Sequence, residues 1–162
     1  MLNAIADSTV LVSAFLRHEG VSAVLLRHAA GGAFALSLSQ AIVTETETVL
    51  LEREHIRRRY PYANEDVAAF CQTLHGSFPV VADLPPLSGI VRDPNDDMVL
   101  ATARAAHATY LITRDLDLLS LQTYEGITIL TPEAFMAIEL EPKALGGIRG
   151  LVRYLPQFGE VS

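Results

Sequence analysis

The chain has 162 residues, half of them hydrophobic, with 19 % charged side chains and a formal charge of −7. That suits one compact domain with a sizeable core, leaves little for a second, and argues against nucleic-acid binding through net positive charge alone. No apolar run reaches the ~18 residues of a membrane span, no secretory leader pattern opens the chain, and the single cysteine, Cys71, excludes an internal disulfide or a Cys-based metal site; a cytoplasmic protein is expected.

In chain order, "LNAIA" reads as a first strand and "STVLVSAFLRHE" as a helix after it. "GVSAVLLRHAAGG" is a second helix, closed by its glycines, and "AFALSLS" a second strand. "SQAIVTETETVLLEREHIRRR" reads as one long helix, with Ile42, Glu45, Val49 and Glu52 on neighbouring turns. "NEDVAAFCQTLHGSF" is a helix with an acidic start, "PVVADL" a short third strand, and "PPLSGIVRD" an irregular loop. A helix starts at Pro94, a strand covers Tyr110 to Thr113, and "DLDLLSL" suggests a short helix. "GITILTPEAFMAIEL" adds a last strand and a helix with a Thr-Pro start. Strands alternating with helices indicate an α/β domain with a mainly parallel sheet, expected over residues 1–139. Residues 140–162 lose any clean period and read as a partner-binding arm or a disordered tail.

The carboxylates carry the chemistry. In "DPNDDMVLATARAAHA", Asp93 caps, Pro94 fits the first helical position, and Asp96 suits the helix dipole. Asp97 falls above Leu100 and Ala101 on the apolar stripe, where a carboxylate is costly unless paired, protonated or bound to a cation. Asp115 follows the strand "TYLIT", with Asp117 two residues on, and Asp7 follows the first strand. In a parallel sheet these lie at carboxyl ends, where open α/β sheets place ligands. Glu45 shares a stripe with Val49 and faces the sheet or the cleft at its edge, whereas Glu47 and Glu52 read as solvent-facing charges. Such acids repel one another unless protonated or neutralised by divalent cations, and oxygen-only ligands favour Mg²⁺ or Mn²⁺ over zinc. These metals activate water for phosphodiester cleavage.

The basic residues are nearly all arginine, and "REHIRRR" concentrates Arg53, Arg57, Arg58 and Arg59. It reads equally as a solvated helix end or as a patch gripping phosphates or an acidic partner segment. Tyr60 and Tyr62 beside it offer faces for stacking on bases. The five histidines share no ligand spacing, and Cys71 sits in a core-like context.

"IADSTVLVSAFL", "LSLSQAIVTETETVL", "RDPNDDMVLATARAAHATYLITRDLDLL" and "GITILTPEAFM" resemble, in order and spacing, the PIN-domain family, over about residues 2–137. They look closest to its branch of toxin components from toxin–antitoxin pairs. The resemblance implies a Rossmann-like three-layer fold, a mainly parallel sheet flanked by helices, and a Mg²⁺- or Mn²⁺-dependent endoribonuclease site. It implies Asp7, Glu45, Asp97 and Asp115 as metal-binding catalytic acids, Asp117 or Asp96 assisting, and Thr113 orienting Asp115 or a water. Arg114 joins the arginine run as a contact for nucleic acid or partner. RNA, a cognate antitoxin and a second copy of the chain are the partners so implied. One position departs: the family's first motif usually reads Asp-Thr-Asn or Asp-Ser-Asn, and here it is Asp7-Ser8-Thr9. Thr9 supplies one hydroxyl where Asn supplies an amide. That substitution motivates an alternative reading, a PIN-like protein that binds RNA or antitoxin without cutting. A phosphatase or receiver domain on a similar sheet fits less well, because Thr9 stands where the phosphatase needs a second acid and Lys143, in the tail, is the only lysine.

Overall fold

The computed structural model describes residues 1–146 apart from 88 and 91. Its centre is a six-stranded sheet in the order β3-β2-β1-β4-β6-β5, built from β1 (Asn3–Ala6), β2 (Ala35–Ser39), β3 (Val80–Val81), β4 (Tyr110–Ile112), β5 (Thr123–Tyr124) and β6 (Ile127–Leu130). Neighbours pair in parallel except β5, which runs antiparallel to β6. The central strands β1 and β4 carry unbroken buried runs, Ala4-Ile5-Ala6 and Leu111-Ile112, as expected where a parallel sheet is covered on both faces.

The helices are α1 (Ser8–Leu16), α2 (Val21–Ala30), α3 (Gln40–Glu52), α4 (Glu54–Arg59), α5 (Asn64–Ser77), α6 (Pro94–Ala105), α7 (Leu116–Leu119) and α8 (Pro132–Gly146). α1 packs on α2 and α3, α5 covers α3, α8 rests on α2, and α6 lies against β1 and β4. One contiguous apolar cluster joins them, with Phe34, Phe135, Leu11 and Leu111 among its fully buried side chains. Cys71 belongs to this core, as its context predicts. No single helix among the described residues is long and apolar enough to cross a membrane.

The connectivity fixes where a site can form. The chain leaves β1 to build β2 on one side and later returns to lay β4 on the other, so the sheet order reverses between them. The crevice above such a switch point is where open α/β sheets bind ligands. The register pairs Ala6 with Ile112, which sets the next residues, Asp7 and Thr113, side by side. The Asp7 N–H donates to the Ile112 carbonyl at 3.2 Å and seals the juncture.

Three local expectations change. The long helix breaks at Arg53 (φ −83°, ψ 100°) into α3 and α4. Tertiary contacts drive the turn: the Tyr62 hydroxyl donates to the Leu50 carbonyl at 2.6 Å, and its ring meets Phe15 edge-on at 5.0 Å. The hairpin β5–β6 is absent from the sequence reading. It turns through Glu125 and Gly126 at φ 47° and 82°, a geometry that Asn-Gly or Asp-Gly would advertise and Glu conceals. Finally, α8 is longer than the helix expected in "TPEAFMAIEL" and runs to Gly146; residues 147–162 of the expected arm lie outside the described residues.

Candidate active site

Asp7 ends β1 and caps α1, accepting the Val10 N–H on Oδ1 at 3.3 Å. Thr9 donates its hydroxyl to the same oxygen at 2.5 Å, and Thr113 donates its own to Oδ2 in a short hydrogen bond. Each hydroxyl in turn accepts a backbone N–H from the turn after β4. Arg114 N–H reaches Thr9 at 2.9 Å, and Asp115 N–H reaches Thr113 at 2.9 Å. An N–H on the hydroxyl oxygen aims the hydroxyl hydrogen at the carboxylate, so two matched relays clamp Asp7 across the β1–β4 seam. The departure at Thr9 is thus met by a side chain that makes two bonds, one to the acid and one to the neighbouring loop.

Asp115 caps α7 through the Asp117 N–H at 2.9 Å, which leaves the rest of its carboxylate toward the crevice. Opposite stands the start of α6, where Asp93 caps by accepting the Asn95 N–H at 2.9 Å and Pro94 occupies the first turn. Ligand oxygens of Asp96, Asp115 and Asp117 lie within 4.8 Å of one another. Asp96 is only 5 % exposed, and its Oδ2 is buried with no hydrogen-bond partner. A bond from the Thr102 hydroxyl to Ser39 Oγ at 2.8 Å holds α6 to the end of β2, and Ser39 caps α3, the helix that carries Glu45. Glu45 accepts the Ser8 hydroxyl on Oε2 at 3.0 Å at the edge of the same crevice.

Asp97 faces the loop before α6. Its side chain is buried, as the stripe argument requires, but its carboxylate collects the Gly89 N–H at 3.0 Å and the Ile90 N–H at 3.1 Å. The two adjacent aspartates therefore do different work, Asp97 gathering the loop before α6 while Asp96 enters the acidic cluster. Helical spacing could not separate them, because α6 buries Asp96, Asp97 and every residue from Val99 to Ala103. Its burial arc is too wide to have a single inward stripe.

The arginines divide as well. Arg57 is a brace: it donates to the Leu51 carbonyl at 3.3 Å, the Tyr62 carbonyl at 3.2 Å and Asn64 Oδ1 at 2.7 Å, with its guanidinium 5.0 Å from the Tyr62 ring centroid. These bonds tie Arg57 to the α3–α5 junction. Arg114 pairs with Glu133 at 2.6 Å. Arg53, Arg58 and Arg59 stay exposed, Arg59 over the Tyr60 ring. Arg92, which the sequence reading did not single out, donates to both oxygens of Asp117 at 3.2 and 3.0 Å.

Protonation follows the crowding. Burial pushes Asp7 up to about 6, against the opposing hydrogen bonds of Thr113, Thr9 and Val10. Burial, followed by the hydrogen bond and charge of Asp115 and the charges of Asp93 and Asp7, lifts Asp96 to about 8. Glu45 is also raised, first by burial, with Ser8 and Arg53 acting in the opposite sense. Both Asp7 and Asp96 hold their protons more tightly folded than unfolded, so this contribution to stability is complete below the ordinary carboxylate range and is lost as pH rises through about 6 and about 8. In chelator, the unfolding midpoint is expected to fall between pH 5.5 and pH 8. Mn²⁺ is expected to raise it far more at pH 8, because cation and proton compete for the same oxygens. Paired thermal scans check both.

A PIN domain family model matches residues 3–117, which runs from β1 to the acids of α7. The chain belongs to the PIN domain family. No curated protein matches it significantly. PIN domains are generally nucleases that use divalent metals, and Asp96, Asp115 and Asp117 form an acidic group able to hold one. The fit is chemical: hard carboxylate oxygens alone, one of them buried and unsatisfied, suit Mg²⁺ or Mn²⁺.

Proposed function

We propose that this PIN domain is a metal-dependent endoribonuclease that hydrolyses phosphodiester bonds of RNA. The unpartnered, buried Oδ2 of Asp96 facing Asp115 and Asp117 carries the reading, since a buried carboxylate crowded by other acids is costly unless a proton or a cation neutralises it. Asp96, Asp115 and Asp117 would hold the ion, with Asp7 bordering it. A divalent ion so held supplies Lewis-acid stabilisation of the phosphate and a nucleophilic water at neutral pH.

The chain's own residues set the rest. Thr9 and Val10 occupy Oδ1 of Asp7, so Oδ2, which takes only the Thr113 hydroxyl, is the oxygen left with room for a ligand. Glu45, steadied by Ser8 and biased by burial toward taking a proton, stands at the rim as acceptor for the proton of the attacking water. Thr9→Val keeps the shape of Thr9 and removes both of its bonds. It is expected to lower the cleavage rate about 10–100-fold, the usual cost of losing a group that orients a ligand, with kcat falling more than KM rises. Assays of a mixed RNA panel with Mn²⁺, Mg²⁺ or chelator test the function itself. Cleavage that requires the metal supports it, and intact RNA under all conditions returns the non-cutting alternative. A toxin role, with a cognate antitoxin and a homodimer as partners, rests on the resemblance of the motifs. Co-purification of a neighbouring gene product that blocks cleavage would support that role.

A further inference from the structure

Given the cation site proposed above, we infer that Arg92 is the residue that binds the scissile phosphate of the RNA beside the cation, and that Asp97 positions it. A strongly acidic crevice repels a phosphodiester even with one cation bound, so a second positive group at the rim is required. Other described arginines near the site are placed differently: Arg114 pairs with Glu133, Arg57 braces the α3–α5 junction, and Arg53 acts on Glu45 at the rim rather than on the cluster of Asp96, Asp115 and Asp117. Arg92 alone among the described ion pairs has a member of the acidic cluster as its partner, spanning both oxygens of Asp117.

That pair is built to exchange. The Arg92 side chain is 85 % exposed and that of Asp117 39 %, and exposed pairs hold weakly. A cation on Asp117 neutralises the charge that attracts Arg92 and repels the guanidinium directly. The displaced fork is then free to take the two non-bridging oxygens of a bound phosphodiester in bidentate fashion. In the absence of the cation, Arg92 occupies the place of that positive charge on Asp117.

The loop is held so that this handover is local. Gly89, at φ +73° in the left-handed region open to glycine, lets its N–H and that of Ile90 converge on the Asp97 carboxylate. On the other flank, Asp93 caps α6. Arg92 lies between these two anchors, which explains why a buried carboxylate at Asp97 is worth its desolvation while standing outside the acidic cluster.

The test measures kcat and KM for cleavage of a single-stranded oligoribonucleotide, its salt dependence, and the Mn²⁺-induced rise in unfolding midpoint, in wild type, Arg92→Ala and Arg92→Lys. Arg92→Ala is expected to lower kcat/KM about 10–100-fold, the size of one charge-assisted hydrogen bond, and to flatten the salt dependence by about one phosphate contact. Arg92→Lys restores part of the loss. The Mn²⁺ response of Arg92→Ala should equal or exceed that of wild type, because a competitor of the cation is gone. A weaker Mn²⁺ response would make Arg92 a strut of the metal site, and an unchanged kcat/KM would remove it from the substrate; either overturns the inference while the nuclease reading stands. Absence of any Mn²⁺ response in wild type marks the separate failure of the cation site, and the inference then falls with it.

Discussion

Asp96→Asn should stabilise the metal-free protein and abolish its cleavage of RNA. The first effect follows from burial. Asp96 is 5 % exposed with an unpartnered Oδ2, beside Asp115 and within the fields of Asp93 and Asp7, so ionising it in the folded state is unfavourable. A neutral amide of the same shape removes that penalty. For a domain of this size the unfolding midpoint rises by about 2–4 °C for each kcal/mol relieved, and the gain should be largest at pH 8 and above and vanish only below the ordinary carboxylate range. The second effect follows from the cation. An ion that stabilises a phosphoryl transition state by several kcal/mol is lost or misplaced without its buried ligand, which at 1.36 kcal/mol per tenfold is about a thousandfold in rate or more. Thermal scans in chelator, with cleavage rates in Mn²⁺, measure both effects on one preparation. A variant that gains stability and loses activity has the signature of a functional acid rather than a structural one.

Asp97→Asn should behave in the opposite way. The carboxylate accepts two backbone N–H groups, from Gly89 and Ile90, and an amide can accept only one while presenting a donor to the other. Losing a part-buried hydrogen bond to a charged acceptor costs about 1–2 kcal/mol, so the midpoint should fall by a few degrees. Mn²⁺ should still stabilise this variant, since the oxygens of Asp96, Asp115 and Asp117 are untouched. Cleavage should be reduced through a loosened loop and a higher KM, with kcat largely kept. Loss of the Mn²⁺ response in Asp97→Asn, with the response retained in Asp96→Asn, would return the role of ligand to Asp97.

The contrast between these neighbours shows where the sequence is legible. The α/β order, the parallel core and the placement of Asp7 and Asp115 at strand ends all follow from local patterns, because strands covered on both faces write themselves as unbroken apolar runs. The stripe argument also finds that Asp97 is buried. It fails to say what Asp97 touches, because its partners belong to the irregular "PPLSGIVRD" loop, whose path depends on Gly89 and on the carboxylate it folds around. Asp96 is masked differently: its place in the first turn of α6 already has a sufficient explanation in the helix dipole. Thr9 looks like a deficit beside the family's Asn until the Arg114 N–H is seen on its other side, a contact spanning most of the domain. Arg57 stands in a basic run, and only the fold reveals its commitment to three acceptors. Charge is read easily from sequence, whereas the partner of a charge is a tertiary fact.

The most direct test of the metal-site account is diffraction from crystals soaked in Mn²⁺, with the anomalous signal locating the ion. The account predicts a peak about 2.1 Å from Asp96 Oδ2, shared with Asp115 and within reach of Asp117, and Arg92 turned away from Asp117. An empty acidic cluster at pH 8 and saturating Mn²⁺, or an ion bound elsewhere with Arg92 still on Asp117, would contradict it.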